Sequence, residues 1–324
     1  MFTKETIPAE IPVLKDYADY LCYNCIPADK PASQMSLEEL HQDQPSWDIA
    51  SMIRGLNRLS EIAADGPCLY NVYTPDESSD CPEKKDVKVW FMPTKGTSPS
   101  KSPWIISCAG GAYTCVCSLV ESFPTAARFN ELGYNVFVLT YRVLQPELMP
   151  MPLDDLAAAI RFILLNRKKF QLSSDEYIVN GFSAGANLTC LWGTVSKGWA
   201  HYGLPRPKAL FPIYPVTTFD GMYTESNNFF LKVMFGEDFD KKTAETYDVS
   251  HILSDNYPPC YLVHAKDDPV VSCQHSVLLK NLLDSRHIPA VLELVEHGKH
   301  GFGDGSGTDT AHWMDRAAAW ENTL

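Results

Sequence analysis

The chain has 324 residues, 45% of them hydrophobic, and a formal net charge of −13. That length suffices for one large core, and an acidic balance without a basic stripe argues against nucleic acid as a partner and against highly anionic substrates. No apolar run approaches the ~18–20 residues that span a bilayer, and residues 1–8 hold no apolar signal core, so the expectation is a cytoplasmic protein without a membrane span.

In chain order, residues 1–45 read as irregular, because Pro8, Pro12, Pro27, Pro31 and Pro45 interrupt any long element. Ile49, Met52, Ile53, Leu56, Leu59, Ile62 and Ala63 then follow helical spacing, with Ser46 available as a cap and Gly66 as a stop. Residues 69–73 and 87–92 predict two antiparallel strands, with polar turns at 75–85 and 95–103. From Trp104 the pattern alternates: strands at 104–108, 135–141, 177–180 and 209–214, and helices at 121–132, 153–170 and 184–196. Such alternation predicts a mostly parallel sheet covered on both faces. Asp154 and Asp155 in the first turn and Arg167, Lys168 and Lys169 in the last suit the dipole of the 153–170 helix. Ser118 and Glu121 have capping-box spacing, which gives Glu121 a structural role. The forty-odd residues after Tyr214 are too many for a simple connection, and 216–257 reads as a cap insertion whose Phe229, Phe230 and Phe235 either line a pocket or bury the cap.

Three segments carry chemistry. Asn180-Gly181-Phe182-Ser183-Ala184-Gly185 is a G-x-S-x-G sequence between a strand and a helix, where a sharp turn lifts the Ser183 hydroxyl to the positive end of the helix. Downstream, the strand ending at His264 is followed by Asp267 and Asp268, and the next strand by His300. A carboxylate and a histidine in that order, at the carboxyl ends of successive strands, complete a nucleophile–acid–base series. Upstream, Ala109-Gly110-Gly111-Ala112-Tyr113 follows an apolar strand, and the amides of Gly110, Gly111 and Ala184 are candidate oxyanion donors.

Ten cysteines are present. Cys108, Cys190 and Cys260 lie in apolar elements and serve as small hydrophobes. Cys22-Tyr23-Asn24-Cys25 is a single C-x-x-C without a second pair, which argues against zinc or redox function, and Cys115 and Cys117 are expected as reduced thiols bordering the site.

These motifs resemble those of α/β-hydrolases of the acetyl esterase and carboxylesterase group related to hormone-sensitive lipase. The closer likeness is to the branch whose oxyanion loop reads C-P-G-G-G-Y followed by S-x-x-E, here Cys108-Ala109-Gly110-Gly111-Ala112-Tyr113 with Ser118 and Glu121. Tyr141-Arg142, His264-Ala265-Lys266-Asp267-Asp268-Pro269 and His300-Gly301-Phe302 are similar as well, over roughly residues 67–322. Ala109 and Ala112 depart from the pattern and leave the two glycines in place.

The resemblance implies an α/β-hydrolase fold for 67–324, with 1–66 as an N-terminal extension. It also implies a serine ester hydrolase that acts without metal or cofactor on a small-molecule ester, with short acyl groups on sugars as the expected class. It matches the first acid of the pair, Asp267, to the orientation of His300, leaving Asp268 for the loop. Bulky Tyr113 and Phe182 beside the reacting centre would restrict the acyl chain. The triad leaves a peptidase or amidase, or a non-catalytic receptor on this fold, as alternatives, and leaves homo-oligomer formation open.

Overall fold

Side chains along a strand alternate between its faces, and in this chain both faces are apolar. In the computed structural model, which describes residues 2–95 and 103–324, that pattern produces one sheet between two hydrophobic layers. Residues 96–102 of the connection expected at 95–103 lie outside the described residues.

Residues 2–36 run in turns and short 3₁₀ helices before α1 (Leu37–Asp43) and α2 (Ile49–Asp65). A full capping box starts α1: the Ser36 hydroxyl accepts from the Glu39 N–H, and the Glu39 carboxylate accepts from the Ser36 N–H. The cap of α2 is Asp48, which accepts from the Ser51 N–H, rather than Ser46, and Gly66 ends the helix. Two strands follow, β1 (Leu69–Asn71) and β2 (Lys88–Met92). The alternating part comprises β3 (Trp104–Cys108), α3 (Ser122–Glu131), β4 (Val136–Thr140), α4 (Met151–Leu165), β5 (Tyr177–Phe182), α5 (Ser183–Trp192) and β6 (Ala209–Ile213). Three short helices, α6 (Phe229–Phe235), α7 (Lys241–Glu245) and α8 (Val249–Ile252), precede β7 (Cys260–Ala265), α9 (Gln274–Ser285), β8 (Ala290–Val295) and α10 (Trp313–Glu321).

The strand order is β1-β2-β4-β3-β5-β6-β7-β8. The pairs β1·β2 and β2·β4 are antiparallel and all later pairs parallel, which is the α/β-hydrolase arrangement. Ile105, Val136, Val138, Ile178 and Phe211 face one layer with Leu56 of α2, Phe123 and Phe129 of α3 and Trp313 of α10. Ile106, Phe137, Leu139, Val179 and Leu210 face the other, with Leu156 of α4, Leu188 of α5 and Leu279 of α9. Leu231, Met234 and Phe235 of α6 are buried in that second layer. Among the described residues no helix is long and apolar enough to cross a membrane.

Two helix-end expectations differ from the structure. Helix α4 stops at Leu165, so Arg167, Lys168 and Lys169 lie beyond it. Asp155 does not sit at the surface near a helix end. It is fully buried and accepts hydrogen bonds from the Arg142 guanidinium, the Arg142 N–H and the Tyr73 hydroxyl. Burial works to raise the Asp155 pKa, and those donors oppose it. The pair anchors the end of β4 to α4 beneath the site.

Candidate active site

Between β5 and α5 the chain turns with Ser183 at φ +51°, in the left-handed region that a residue with a side chain rarely adopts. The glycines on either side are required by contact. A Cβ on Gly181 would lie 2.2 Å from the Gly185 carbonyl oxygen, and one on Gly185 would lie 2.1 Å from the Cys108 carbonyl oxygen. The turn therefore packs α5 directly on the end of β3 and raises Ser183 Oγ above the carboxyl edge of the sheet.

Ser183 Oγ lies 2.9 Å from His300 Nε2, and His300 Nδ1 lies 2.7 Å from Asp268 Oδ2. An ionised carboxylate only accepts, so the proton of the imidazole sits on Nδ1 and Nε2 faces the serine as an acceptor. The assignment of this role to Asp267 is corrected by the structure. Past the end of β7 neighbouring side chains diverge. Asp267 turns to the loop before His300, where its Oδ1 accepts from the Gly298 N–H at 2.9 Å and the Lys299 N–H at 2.8 Å. Asp268 is the buried acid. Its Oδ1 accepts from the Val270 and Val271 amides, both at 2.8 Å, and its Oδ2 lies 3.3 Å from His264 Nε2. Burial pushes the Asp268 pKa up, but hydrogen bonds from His264, His300 and the Val271 amide override it and hold the carboxyl well below the usual range.

Of the three expected oxyanion donors, the structure leaves two without a protein acceptor among the described residues. The Ala184 N–H belongs to the first turn of α5, where no intrahelical acceptor exists. The Gly111 N–H has no protein acceptor among the described residues. The Gly110 N–H is engaged instead by the Glu121 carboxylate, which corrects its reading as a free donor. The capping box expected at Ser118 and Glu121 is also absent: Ser118 Oγ is buried without a partner, and Glu121 precedes α3 without capping it by its side chain. Glu121 is 4% exposed, and its second oxygen accepts from the Tyr214 hydroxyl at 2.8 Å. The Tyr214 ring lies 4.7 Å from that of His300. Burial raises the Glu121 pKa, opposed by the Gly110 amide and the Tyr214 hydroxyl. One buried carboxylate thus links the glycine loop, the end of β6 and the histidine.

An open cleft of about 830 Å³ lies over Ser183 and His300. Its walls include Asn24, Asp43, Gln44 and Trp47 from the segments around α1, and Leu144 and Val270 from the sheet edge. Neither Tyr113 nor Phe182 reaches it. Tyr113 is fully buried, bonds Asn187 through its hydroxyl at 2.9 Å and packs on Phe230, and Phe182 is buried against Tyr214 and Trp313. Both are core residues, because a φ of +59° at Tyr113 turns its ring inward and Phe182 ends a strand buried on both faces. Residues 229–235 of α6 also lie outside the lining, so the wall opposite the serine comes from the N-terminal segment. Sequence reasoning missed these wall residues, which no motif marks. It also missed that Cys25, Cys115 and Cys117 meet at the cleft.

The BD-FAE family model matches residues 90–283, which run from β2 into α9 and include Ser183 and Asp268. The chain is similar to the endo-1,4-beta-xylanase B of Butyrivibrio fibrisolvens, 28% identical over 224 residues, covering 66% of this chain and 35% of that protein. It is 24% identical over 209 residues to an acetylxylan esterase of Xylanibacter ruminicola, covering 62% of this chain and 41% of that one. The chain thus spans less than half the length of these curated relatives. Among solved structures it is similar to an acetyl ester-xyloside bifunctional hydrolase from Caldicellulosiruptor lactoaceticus, with a TM-score of 0.63 and 28% identity over 73% of this chain and 88% of that one. A truncated carbohydrate esterase from gut microbiota, with a TM-score of 0.64 and 18% identity over 79% of this chain and 95% of that one, shares the fold.

The geometry separates the two adjacent acids. Asp268→Asn should lower kcat/KM of ester hydrolysis by about 10³–10⁴-fold through loss of the histidine tautomer, and Asp267→Asn by less than about tenfold. Equal losses in steady-state kinetics would contradict the placement. Glu121→Gln replaces with an NH2 donor one of the two carboxylate oxygens that accept from the Gly110 amide and the Tyr214 hydroxyl. We expect kcat to fall roughly 10–100-fold with little change in KM as the glycine loop shifts. The circular dichroism spectrum should stay unchanged, and unaltered turnover would show that the Gly110 contact is not needed.

Proposed function

The chain belongs to the BD-FAE family, and from that premise we propose that it is a serine carboxylesterase that removes short acyl groups, acetyl above all, from carbohydrate. The observation that carries the proposal is the Ser183–His300–Asp268 line, with its 2.9 Å and 2.7 Å contacts, at the floor of an open cleft.

In the proposed reaction His300 Nε2 takes the Ser183 proton as Oγ attacks the ester carbonyl. The electron pair of the carbonyl moves onto oxygen, toward the Gly111 and Ala184 amides. Collapse breaks the bond to the alcohol, which leaves with the proton from His300. Water, deprotonated by the same nitrogen, then attacks the acyl-enzyme and releases the acid. Asp268 keeps Nδ1–H aligned and stabilises the imidazolium in both halves.

Two observations favour a sugar on the alcohol side. The cleft is far larger than an acetyl group, so most of it must face the alcohol. Its wall combines the Trp47 ring with the polar groups of Asn24, Asp43 and Gln44, a mixture suited to hydroxyls and a ring face. The names of the relatives, an acetylxylan esterase and an acetyl ester-xyloside hydrolase, support acetyl as the acyl group. The buried Tyr113 and Phe182 do not contribute to this preference.

Two experiments test the reading. Ser183→Ala should retain the fold and lose ester hydrolysis by on the order of 10⁴-fold or more; near-normal turnover in a folded variant would end the acyl-enzyme mechanism. Across acyl esters from acetyl to dodecanoyl, kcat/KM should peak at about two to four carbons, and acetylated xylo-oligosaccharides should be deacetylated. A maximum at about eight carbons or beyond, where each bound methylene adds about 0.8 kcal/mol, would exclude the short-acyl assignment.

A further inference from the structure

One cysteine of the N-terminal C-x-x-C meets a second cysteine pair, far away in sequence, beside the glycine loop. Cys22 and Cys25 lie in the N-terminal segment, and Cys115 and Cys117 just after the oxyanion glycines. An isolated antiparallel bridge joins Tyr23 to Val116, with N–H···O distances of 3.0 Å and 2.9 Å. The Asn24 side chain reinforces it by donating to the Thr114 carbonyl at 2.8 Å. Residues on either side of a bridged residue project to the opposite face. Cys115 and Cys117 therefore share the face that Val116 does not, and Cys22 is the neighbour of Tyr23. A tight turn, with the Cys25 N–H donating to the Cys22 carbonyl, brings Cys25 back to the same place.

The sulfurs of Cys25, Cys115 and Cys117 all lie within 4.8 Å of one another, and those of Cys115 and Cys117 are 3.6 Å apart. These three and Cys22 are free thiols. Cys22 and Cys117 are buried, and Cys25 and Cys115 are partly covered at the cleft edge. A 3.6 Å separation is far beyond a disulfide bond of about 2.05 Å. It is close to the edge of about 3.8 Å between two vertices of a tetrahedron of sulfurs held about 2.3 Å from a zinc ion. Thiols that serve only as small hydrophobes would point at apolar side chains; those of Cys25, Cys115 and Cys117 converge on one point.

We propose that Cys25, Cys115 and Cys117 form a zinc site that clamps the N-terminal segment to the glycine loop. A set of three thiols selects a soft ion, and tetrahedral zinc accepts three protein ligands with a water in the fourth position. The thiols bind as thiolates, and their protons pass to solvent. Protein fills three positions and solvent from the cleft the fourth, and the ion takes no part in proton transfer at Ser183. Its reach into the active site is mechanical. The Cys117 N–H donates to the Gly110 carbonyl at 3.0 Å and the Cys115 N–H to the Gly111 carbonyl at 3.2 Å, so an ion fixing both sulfurs fixes the loop between them and the serine.

The test measures metal directly, so its outcome is independent of the esterase reading. The full chain, expressed with added zinc and purified in a non-thiol reductant without chelator, should carry about one zinc per chain by mass spectrometry of the metal. A mercurial that caps thiols should release that equivalent to a chromogenic chelator. Cys115→Ser and the double variant Cys25→Ser/Cys117→Ser should each lose at least about nine-tenths of the zinc. Cys273→Ser, outside the cluster, should keep it. Should the double variant fail to fold, cadmium added to the metal-free wild-type chain should give an ultraviolet thiolate-to-metal charge-transfer band with a one-to-one end point. The proposal is overturned by a wild-type chain that binds neither ion, by full zinc retention in Cys115→Ser, or by a disulfide among these three residues in the unreduced protein.

Discussion

The left-handed backbone at Ser183 is the constraint around which the rest of the site is arranged. A residue with a side chain held there costs about 1–3 kcal/mol, and it persists because its surroundings leave no alternative. Gly185 lies against the carbonyl of Cys108 so closely that α5 cannot move away without opening the contact between β5 and β3. Both strands are buried on both faces, so the strain is held by the most rigid part of the molecule. The chemistry follows from that placement: the hydroxyl stands at the first turn of α5, and His300 meets it from the loop after β8.

A second layer of organisation is electrostatic. Asp268 and Glu121 are both buried carboxylates within reach of the histidine, yet their surroundings push them in opposite directions. Asp268 collects two backbone amides and two imidazoles, which keep it ionised against burial. Glu121 has one amide and one tyrosine hydroxyl, and burial prevails. The acid with more donors is placed to stabilise charge on His300. The acid with fewer holds the glycine loop and Tyr214 in position. Pairs of carboxyl groups whose environments separate their pKa values divide roles in this way.

What could be read from the sequence was what depends on local pattern. G-x-S-x-G between a strand and a helix is a local statement about backbone geometry, and the sheet was legible because both faces of its strands are apolar. The choice between Asp267 and Asp268 was not, because it turns on which of two neighbouring side chains faces inward past the end of β7. Tyr113 and Phe182 adjoin the reacting residues in sequence, but a positive φ and a two-faced strand send their rings into the core. Glu121 had the spacing of a cap, and only the fold brings it to Gly110 and Tyr214. The C-x-x-C at Cys22 lacked a second pair in sequence; Cys115 and Cys117 approach it only through the bridge from Tyr23 to Val116.

The two sides of the cleft are built by different means. Ser183, Asp268 and His300 are set by the carboxyl ends of parallel strands, whose register leaves little freedom. The facing wall, with Asn24, Asp43, Gln44 and Trp47, belongs to a segment held to the sheet by packing of α2 and a few hydrogen bonds. Side chains on such a segment can change without altering strand register or the triad, as is usual for recognition surfaces carried on a rigid scaffold. In the proposed reaction the acyl group is handled by the invariant geometry at the serine, and discrimination among alcohols falls to the N-terminal wall. The position of that wall relative to the serine is therefore the variable that governs which ester can be held for attack. The packing of α2 and the bridge at Tyr23 together set that position.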